Sequence, residues 1–202
     1  PASGAYRVKG YAPDQERTYH LGVVIGPETS AWVARDDRNA QVVALAWAPG
    51  AEAVRHADLP KHPRSVTYVS LPQWSTLVPD GALEAGTTID HLKLVHGRLP
   101  STTVREEPVE TLGAQCLYVS EAGHERIVLD RYAFARSLPL QAVLVHSART
   151  RSGNGPVLLI HRGAERLDVA IAERGALLLS SSYPARTAAD VLYFCLLATA
   201  RT

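Results

Sequence analysis

The most restrictive feature of this sequence is a pattern of three short apolar runs followed by a helix-forming segment, because that pattern occurs twice. Glycine or charged turn residues bound each run, which is typical of short strands. The first copy covers 20–26, 29–35, 41–47 and 51–59, and the second covers 157–161, 166–172, 176–183 and a helix from Thr187. The matching order and length predict an α/β protein with two duplicated halves. The alternative is two meanders that are alike by coincidence.

The chain between the two copies has less regular patterns. Short strands are predicted at 66–71, 76–78, 91–95, 102–105 and 114–120. The stretch 83–108 is otherwise irregular, and 125–134 carries apolar residues at a helical repeat. Residues 140–149 fit a helix or a strand, because periodicity alone does not distinguish the two for so short an apolar run.

Domain boundaries follow from this plan. Residues 1–18 are polar and contain glycine and proline, so we expect a loose N-terminal lead-in. The glycine-rich segment 152–156 is the break between a first half at 19–150 and a second half at 151–202. The second half ends soon after its helix, so we expect it to be incomplete at its C-terminal end.

The helix that closes the second copy has a recognisable start. Thr187 and Asp190 have the spacing of a capping box, in which each side chain accepts a hydrogen bond from a backbone amide of the first turn. Residues 191–198 are apolar on nearly every face of such a helix, which predicts that the helix is buried.

Composition excludes several functions. The net charge is +1 and the basic residues are scattered, so nucleic acid is not an expected partner. The apolar stretches are shorter than the ~20 residues that span a bilayer, and no signal peptide precedes the first strand, so we expect a cytoplasmic protein without a membrane partner. Cys116 and Cys195 lie far apart in apolar segments and are interpreted as small buried hydrophobes.

Common catalytic and metal-binding motifs are absent from the sequence. The eight histidines form no His-x-x-x-His pair and there is no Cys-x-x-Cys, so no metal is expected. The serines at 180–182 lack the Gly-x-Ser-x-Gly context of a hydrolase nucleophile. The sequence also lacks the phosphate-binding Gly-x-x-x-x-Gly-Lys-Ser/Thr motif.

Two halves that each open with a three-strand meander resemble the actin, sugar-kinase and Hsp70 superfamily. The resemblance implies an actin-like ATPase fold with two ribonuclease-H-like halves, in which the first hairpin of each half grips phosphate. The first hairpin here keeps the turn glycine Gly26, followed by Glu28, Thr29 and Ser30. The second keeps Gly163 and Asp168. These residues, with His161, are the cofactor-binding residues that the resemblance implies.

The chain more specifically resembles an uncharacterised family found mainly in the Bacteroidetes, the domain of unknown function 3822. Three segments carry this resemblance: Val66-Thr-Tyr-Val-Ser70 with Ser75-Thr-Leu-Val-Pro79, then Leu167-Asp-Val-Ala-Ile171, and Gly175-Ala-Leu-Leu-Leu-Ser-Ser-Ser-Tyr183 with Asp190-Val-Leu-Tyr-Phe194. The resemblance implies an actin-like ATPase fold with no established activity.

Departures from the superfamily pattern bear on function. The aspartates that hold the hydration shell of Mg²⁺ fall on Val24 in the first loop and on His161 in the second. Mg²⁺ prefers carboxylate and water oxygens, and valine offers no ligand. Ala164 and Glu165 replace two loop glycines, and Glu165 adds a negative charge where phosphate would lie.

We therefore expect a degenerate fold without a cofactor, which acts as a non-catalytic binding or assembly module. The expected partner is another protein, including a second copy in a homodimer. The alternative is a nucleotide-binding ATPase or kinase that uses ATP and Mg²⁺ with relocated acids, for which Glu28 and Asp168 are the candidates. An isolated aspartate in a strand is more often a hydrogen-bonded structural residue than a catalytic base.

Overall fold

A computed structural model describes residues 3–15, 17–100 and 103–202. The strands are β1 Gly4–Arg7, β2 Tyr19–Ile25, β3 Thr29–Asp36, β4 Val42–Pro49, β5 Ser65–Ser70, β6 Ser75–Pro79, β7 Val104–Val109, β8 Ala114–Val119, β9 Arg136–Pro139, β10 Val157–Arg162, β11 Arg166–Glu173 and β12 Ala176–Pro184. The α-helices are α1 Thr88–His96, α2 Ala122–Leu129, α3 Leu140–Arg151 and α4 Ala188–Thr199. In the described part of the chain, no helix has the length and apolar character needed to cross a bilayer.

Contacts divide the described chain into two compact units. Unit 1 comprises the residues up to Leu71 together with Ser120–Leu138, and unit 2 comprises Pro72–Val119 and Pro139–Thr202. The predicted halves at 19–150 and 151–202 are defined by topology rather than by contacts, and they stay a prediction. Strand β1 lies within the predicted loose lead-in at 1–18.

Unit 1 is built on a six-stranded sheet with the order β1-β4-β3-β2-β5-β9. Strands β2, β3 and β4 form the predicted antiparallel meander, and β5 lies parallel to β2. Alternate residues of β2 are buried because successive side chains of a strand point to opposite faces. The buried face of the sheet forms an apolar core that includes Leu21, Trp32, Tyr68 and Tyr132.

Unit 2 contains two three-stranded sheets, β10-β11-β12 and β6-β8-β7. Strand β11 is buried on both faces: Leu167, Val169 and Ile171 belong to the core against α4, whereas Ala170 and Ala172 belong to the core against α3. Helix α1 packs on the β6-β8-β7 sheet, where Leu92 is fully buried.

A tight turn joins β11 to β12. Arg174 and Gly175 both have a positive φ, 49° and 80°, and residues 173 and 176 pair across the turn. Positive φ at both central positions defines the type I′ turn, which matches the twist of a hairpin. The buried Ser152 at the end of α3 holds this turn, since its hydroxyl accepts from the Gly175 amide at 3.0 Å and its carbonyl accepts from the Arg174 amide at 2.9 Å.

Several local predictions are wrong. Residues 91–95 lie within helix α1 rather than a strand, and the helix expected at 51–59 is a short 3-10 helix at Glu52–Arg55. The helical repeat at 125–134 forms a helix only as far as Leu129. The ambiguous segment 140–149 is helical, in α3. In the predicted strand 102–105, Thr102 lies outside the described residues and β7 begins at Val104.

The two cysteines differ in burial. Cys116 is fully buried in β8, and its burial raises the pKa of the thiol to about 12. Cys195 is partly buried against the core beneath α4. Neither forms a disulfide, and the prediction of a buried hydrophobe is confirmed for Cys116.

Helix α4 begins as predicted but is packed differently. The Thr187 hydroxyl accepts from the Asp190 amide at 3.1 Å, and the Asp190 carboxylate accepts from the Thr187 amide at 2.8 Å, so the predicted capping box is confirmed. The prediction of a buried helix is wrong, because Leu192, Tyr193 and Leu196 are 63%, 60% and 61% exposed. The helix lies on one face of a single sheet, so only one stripe of its side chains enters the core.

The capping box is testable by substitution at one position. Thr187→Ala removes the hydroxyl that accepts from the Asp190 amide, and we expect the free energy of unfolding to fall by about 1 kcal/mol. Thr187→Ser keeps the hydroxyl and is the matched control. Urea unfolding of the three proteins measures the difference. Equal losses in both variants would contradict a capping role.

Candidate functional site

The two hairpins that the sequence predicts as phosphate loops are both present. The first joins β2 to β3, where the Gly26 amide donates to the Thr29 carbonyl at 2.8 Å. The second joins β10 to β11, where the Gly163 amide donates to the Arg166 carbonyl at 2.8 Å. Each hairpin is therefore closed by a backbone hydrogen bond next to its retained glycine.

Neither turn has the backbone shape of an anion-binding concavity. Both turns lie wholly within the described residues, and none of their residues has a positive φ. The alternation of right- and left-handed residues that directs successive amides at one anion is therefore missing from both. A Cβ at Gly26 would lie 3.2 Å from Leu71 Cδ1 and 3.4 Å from the Thr29 carbonyl oxygen, so a side chain there would require Leu71 to shift by a few tenths of an ångström.

The polar residues of the first hairpin have structural partners. Ser30 is buried, and its hydroxyl accepts from the Ala53 amide at 3.0 Å, which holds the 3-10 helix against the sheet. Glu28 and Thr29 are exposed, and the Glu28 carbonyl accepts from the Gly50 amide at 2.7 Å. The Ser30 hydroxyl is therefore engaged in a structural hydrogen bond, and the Glu28 carboxylate lies at the surface.

Val24 lies in apolar surroundings. Its neighbours in register are Ala31 on β3 and Val69 on β5, and all three line an open groove of about 340 Å³. The position where the superfamily carries its first acid is thus part of an apolar surface. A carboxylate introduced here would lose hydration without gaining a charged partner.

Asp168 of the second hairpin is the centre of a hydrogen-bond network. His161, Asp168 and Ser182 lie side by side in register on β10, β11 and β12. The Asp168 carboxylate accepts from Ser182 Oγ at 2.6 Å and from Arg166 Nε at 2.6 Å, and it lies 3.4 Å from His161 Nδ1. Arg166 also donates to the Pro72 carbonyl at 2.6 Å and to Ser182 Oγ at 2.9 Å.

This network keeps the Asp168 carboxylate ionised and hydrogen-bonded. Burial opposes ionisation, but the hydrogen bond from His161, the charge of Arg166 and the hydrogen bond from Ser182 outweigh it, so the pKa of Asp168 is lowered. A carboxylate with a lowered pKa is a poor general base. Both carboxylate oxygens already face donors from this chain, so Asp168 is a structural anion that joins three strands.

The structure brings together His161 and Asp168 of the predicted site residues, and it adds Arg166 and Ser182. The available signal was Arg166-x-Asp168 within one strand, because residues two apart point to the same face. Gly163 lies in the turn itself and takes no part in the network. Among the described residues, no group of three His, Cys, Asp or Glu side chains is arranged to hold a metal ion.

The class of protein is given by its fold, which is the actin-like ATPase fold of a similar solved structure. More narrowly, a protein family of unknown function (DUF3822) matches residues 54–201, so the chain belongs to that family. A comparison with curated proteins found no match.

Solved structures share the fold at low sequence identity. A Bacteroides thetaiotaomicron protein with an actin-like ATPase fold and unknown function has a TM-score of 0.75 and 14% identity, over 91% of this chain and 76% of that one. The cytoplasmic domain of EpsL, an inner membrane component of the type II secretion system of Vibrio cholerae, has a TM-score of 0.55 and 14% identity. The match covers 89% of this chain and 74% of the EpsL domain. The ethanolamine utilization protein EutJ from Carboxydothermus hydrogenoformans has a TM-score of 0.46 and 12% identity. The match covers 96% of this chain and 61% of EutJ.

The structural role of Asp168 leads to a measurable prediction. Asp168→Asn leaves the Arg166 guanidinium without its counter-charge, and we expect a loss of about 3 kcal/mol in the free energy of unfolding at neutral pH. Because the native pKa of Asp168 is lowered, this contribution is present above the ordinary aspartate pKa and is lost as pH falls through the native value. The difference in stability between the two proteins should therefore begin to narrow only below about pH 4, near the ordinary aspartate pKa, and should disappear as the pH falls past the lowered native value.

Asp130→Asn is the matched control, since Asp130 is 72% exposed and its partner Arg126 lies 3.9 Å away. An exposed pair of this kind contributes less than about 1 kcal/mol. Urea unfolding across a pH series measures both variants. Equal stability of Asp168→Asn and the unsubstituted protein at neutral pH would contradict the network's structural role.

Proposed function

We propose that this protein is a binding and assembly module that does not hydrolyse nucleotides, and that it self-associates through helix α4. The observation that carries the proposal is the exposed apolar stripe Leu192, Tyr193 and Leu196 on α4. A contiguous apolar surface of this kind marks an interaction site more often than an isolated exposed leucine does.

The chemistry of the two hairpins supports a role without nucleotide turnover. The position of the first loop acid is Val24, which lines an apolar groove, and that of the second is His161. The retained Asp168 is engaged by Arg166 and Ser182. Mg²⁺ recruitment needs carboxylate oxygens that face the ligand. We therefore propose that no cofactor is used.

The way in which α4 packs on the sheet supports a specific contact surface. Val191, Phe194, Cys195 and Ala198 face the sheet, and Phe194 stacks on Tyr183 with ring centroids 4.7 Å apart. This packing fixes the rotation of the helix about its axis, so the exposed stripe presents one defined face. A second copy offers the same face, which suits a two-fold interface.

The fold likeness to the EpsL cytoplasmic domain is consistent with an assembly role, since that protein is a component of a secretion system. The likeness is one of fold, and the assembly role of this chain rests on its own apolar stripe. We further propose a cytoplasmic location and no nucleic-acid or membrane partner, in keeping with the scattered charges.

Nucleotide binding is tested by thermal unfolding with and without Mg-ATP, with ADP and AMP as controls. Ligand at a hundredfold excess over its Kd adds ~2.7 kcal/mol of stability, a rise of roughly 5 to 10 °C for a chain of this size. We expect no rise for the protein or for the double variant Val24→Asp with His161→Asp. A rise of that order in the unsubstituted protein would contradict the proposal and direct attention to Glu28 as a relocated acid.

Self-association is tested by light scattering across a hundredfold range of protein concentration. We expect a dimer that becomes a monomer in the double variant Leu192→Asp with Leu196→Asp, because each charge would be buried in the interface. Leu94→Asp is the matched control, since Leu94 is an exposed leucine on α1. A monomer at every concentration, or a dimer that the α4 variant leaves intact, would contradict assembly through α4.

A further inference from the structure

Three polar side chains in unit 1 form a connected series that the proposed function does not use. His20 lies on β2, Ser65 is the first residue of β5, and Asp37 follows β3. His20 Nδ1 lies 2.6 Å from Ser65 Oγ, and His20 Nε2 lies 2.7 Å from Asp37 Oδ1. These distances are those of a nucleophile, a base and an orienting acid in hydrogen-bond contact.

The hydrogen bonds assign a role to each ring nitrogen. An ionised Asp37 only accepts hydrogen bonds, so it selects the imidazole tautomer with its proton on Nε2. Nδ1 then carries a lone pair that accepts from the Ser65 hydroxyl. This is the protonation state in which His20 removes a proton from the serine as the serine attacks an electrophile.

Asp37 is held ionised and in place. Its carboxylate also accepts from the Arg64 guanidinium, and its amide donates to the Thr18 carbonyl at 2.9 Å. The hydrogen bond from His20 and the charge of Arg64 lower the pKa of Asp37 despite the opposing effect of burial. The acid at the end of the series is therefore charged at neutral pH.

The series lies on the same face of the sheet as the apolar groove. His20 precedes Gly22 and Val24 on β2 at alternate positions, and Ser65 precedes Val69 at alternate positions on β5. Gly22, Val24 and Val69 line the groove, together with Trp47. Two residues along a strand span about 7 Å, so the groove begins within one acyl-chain length of His20.

A positive charge lies on this same face. Arg35 on β3 pairs in register with His20, and paired residues direct their side chains to one face. Arg35 is exposed. A guanidinium on this face can supply positive charge to a carbonyl oxygen that becomes negative during attack.

We propose that Ser65, His20 and Asp37 form a nucleophilic site that hydrolyses carboxylic esters with an apolar acyl group, which lies in the groove. Ser65 Oγ bonds to the carbonyl carbon while its proton passes to His20 Nδ1. The bond to the alcohol oxygen then breaks, and the alcohol takes that proton from His20. Water attacks the acyl-serine and gives a proton to His20, which returns it to Ser65 as the acid leaves. One ester and one water give one acid and one alcohol.

The experiment treats the full protein with a fluorophosphonate, which reacts with activated serines, and locates the adduct by peptide mass spectrometry. We expect one adduct, on Ser65, and a labelling rate that falls about 100-fold in His20→Ala. Ser147→Ala is the matched control, because Ser147 is a half-buried serine in α3 of unit 2, and it should label as the unsubstituted protein does.

A second measurement compares hydrolysis of p-nitrophenyl acetate and p-nitrophenyl octanoate. Val24→Phe fills the groove, so the ratio of octanoate to acetate hydrolysis should fall about tenfold. Thermal unfolding and circular dichroism establish that each variant is folded. A folded protein without an adduct on Ser65, or with a labelling rate unchanged in His20→Ala, would overturn the proposal and assign the three side chains to joining the strands. These outcomes do not depend on the oligomeric state.

Discussion

Strand β11 lies between two apolar layers, and this coverage of both faces requires its side chains to be apolar or to have hydrogen-bonding partners. A strand covered by α3 on one face and α4 on the other has no solvated face for a charge. Asp168 is nevertheless there, and it is accommodated because Arg166 neutralises it and Ser182 donates to it. The acid that the superfamily pattern marks as a phosphate-loop residue has thereby become part of the internal support of the second meander. The type I′ turn and the capping box then place β12 and α4 around that strand.

The sequence predicted the elements whose signals are local. The second meander was found because its strands are short apolar runs with tight turns between them, and Thr187 with Asp190 indicated the start of α4. Helix α1 was missed because His91-Leu-Lys-Leu-Val95 alternates polar and apolar residues as a strand would, and only its packing through Leu92 decides for a helix. The exposure of α4 was missed because a helix that is apolar on nearly every face is usually buried on all sides. Here a single sheet covers only one side of the helix.

The functional residues were predictable only in part, for a related reason. His161 and Asp168 were found through the hairpin pattern, since strand neighbours across a tight turn are close in sequence. His20 and Ser65 are brought together by the parallel pairing of β2 with β5, and Asp37 follows β3, the antiparallel neighbour of β2. The two hydrogen-bonded pairs are separated by 45 and 17 residues. No local motif carries that relation. The apolar surroundings of Val24 likewise depend on Val69, which pairs with it across β2 and β5 and is 45 residues away in the chain.

The turn between β11 and β12 also bears on how the chain folds. Closing a short loop costs little conformational entropy, and Gly175 adopts its positive φ without the steric cost that Arg174 carries. We therefore expect the β11-β12 hairpin to form from local contacts. Strand β9 has to reach β5 across a much longer separation, as the hydrogen bond from Ser70 to Leu138, 68 residues apart, shows. From this topology we expect the second meander to form before the six-stranded sheet is complete, although it is later in the chain.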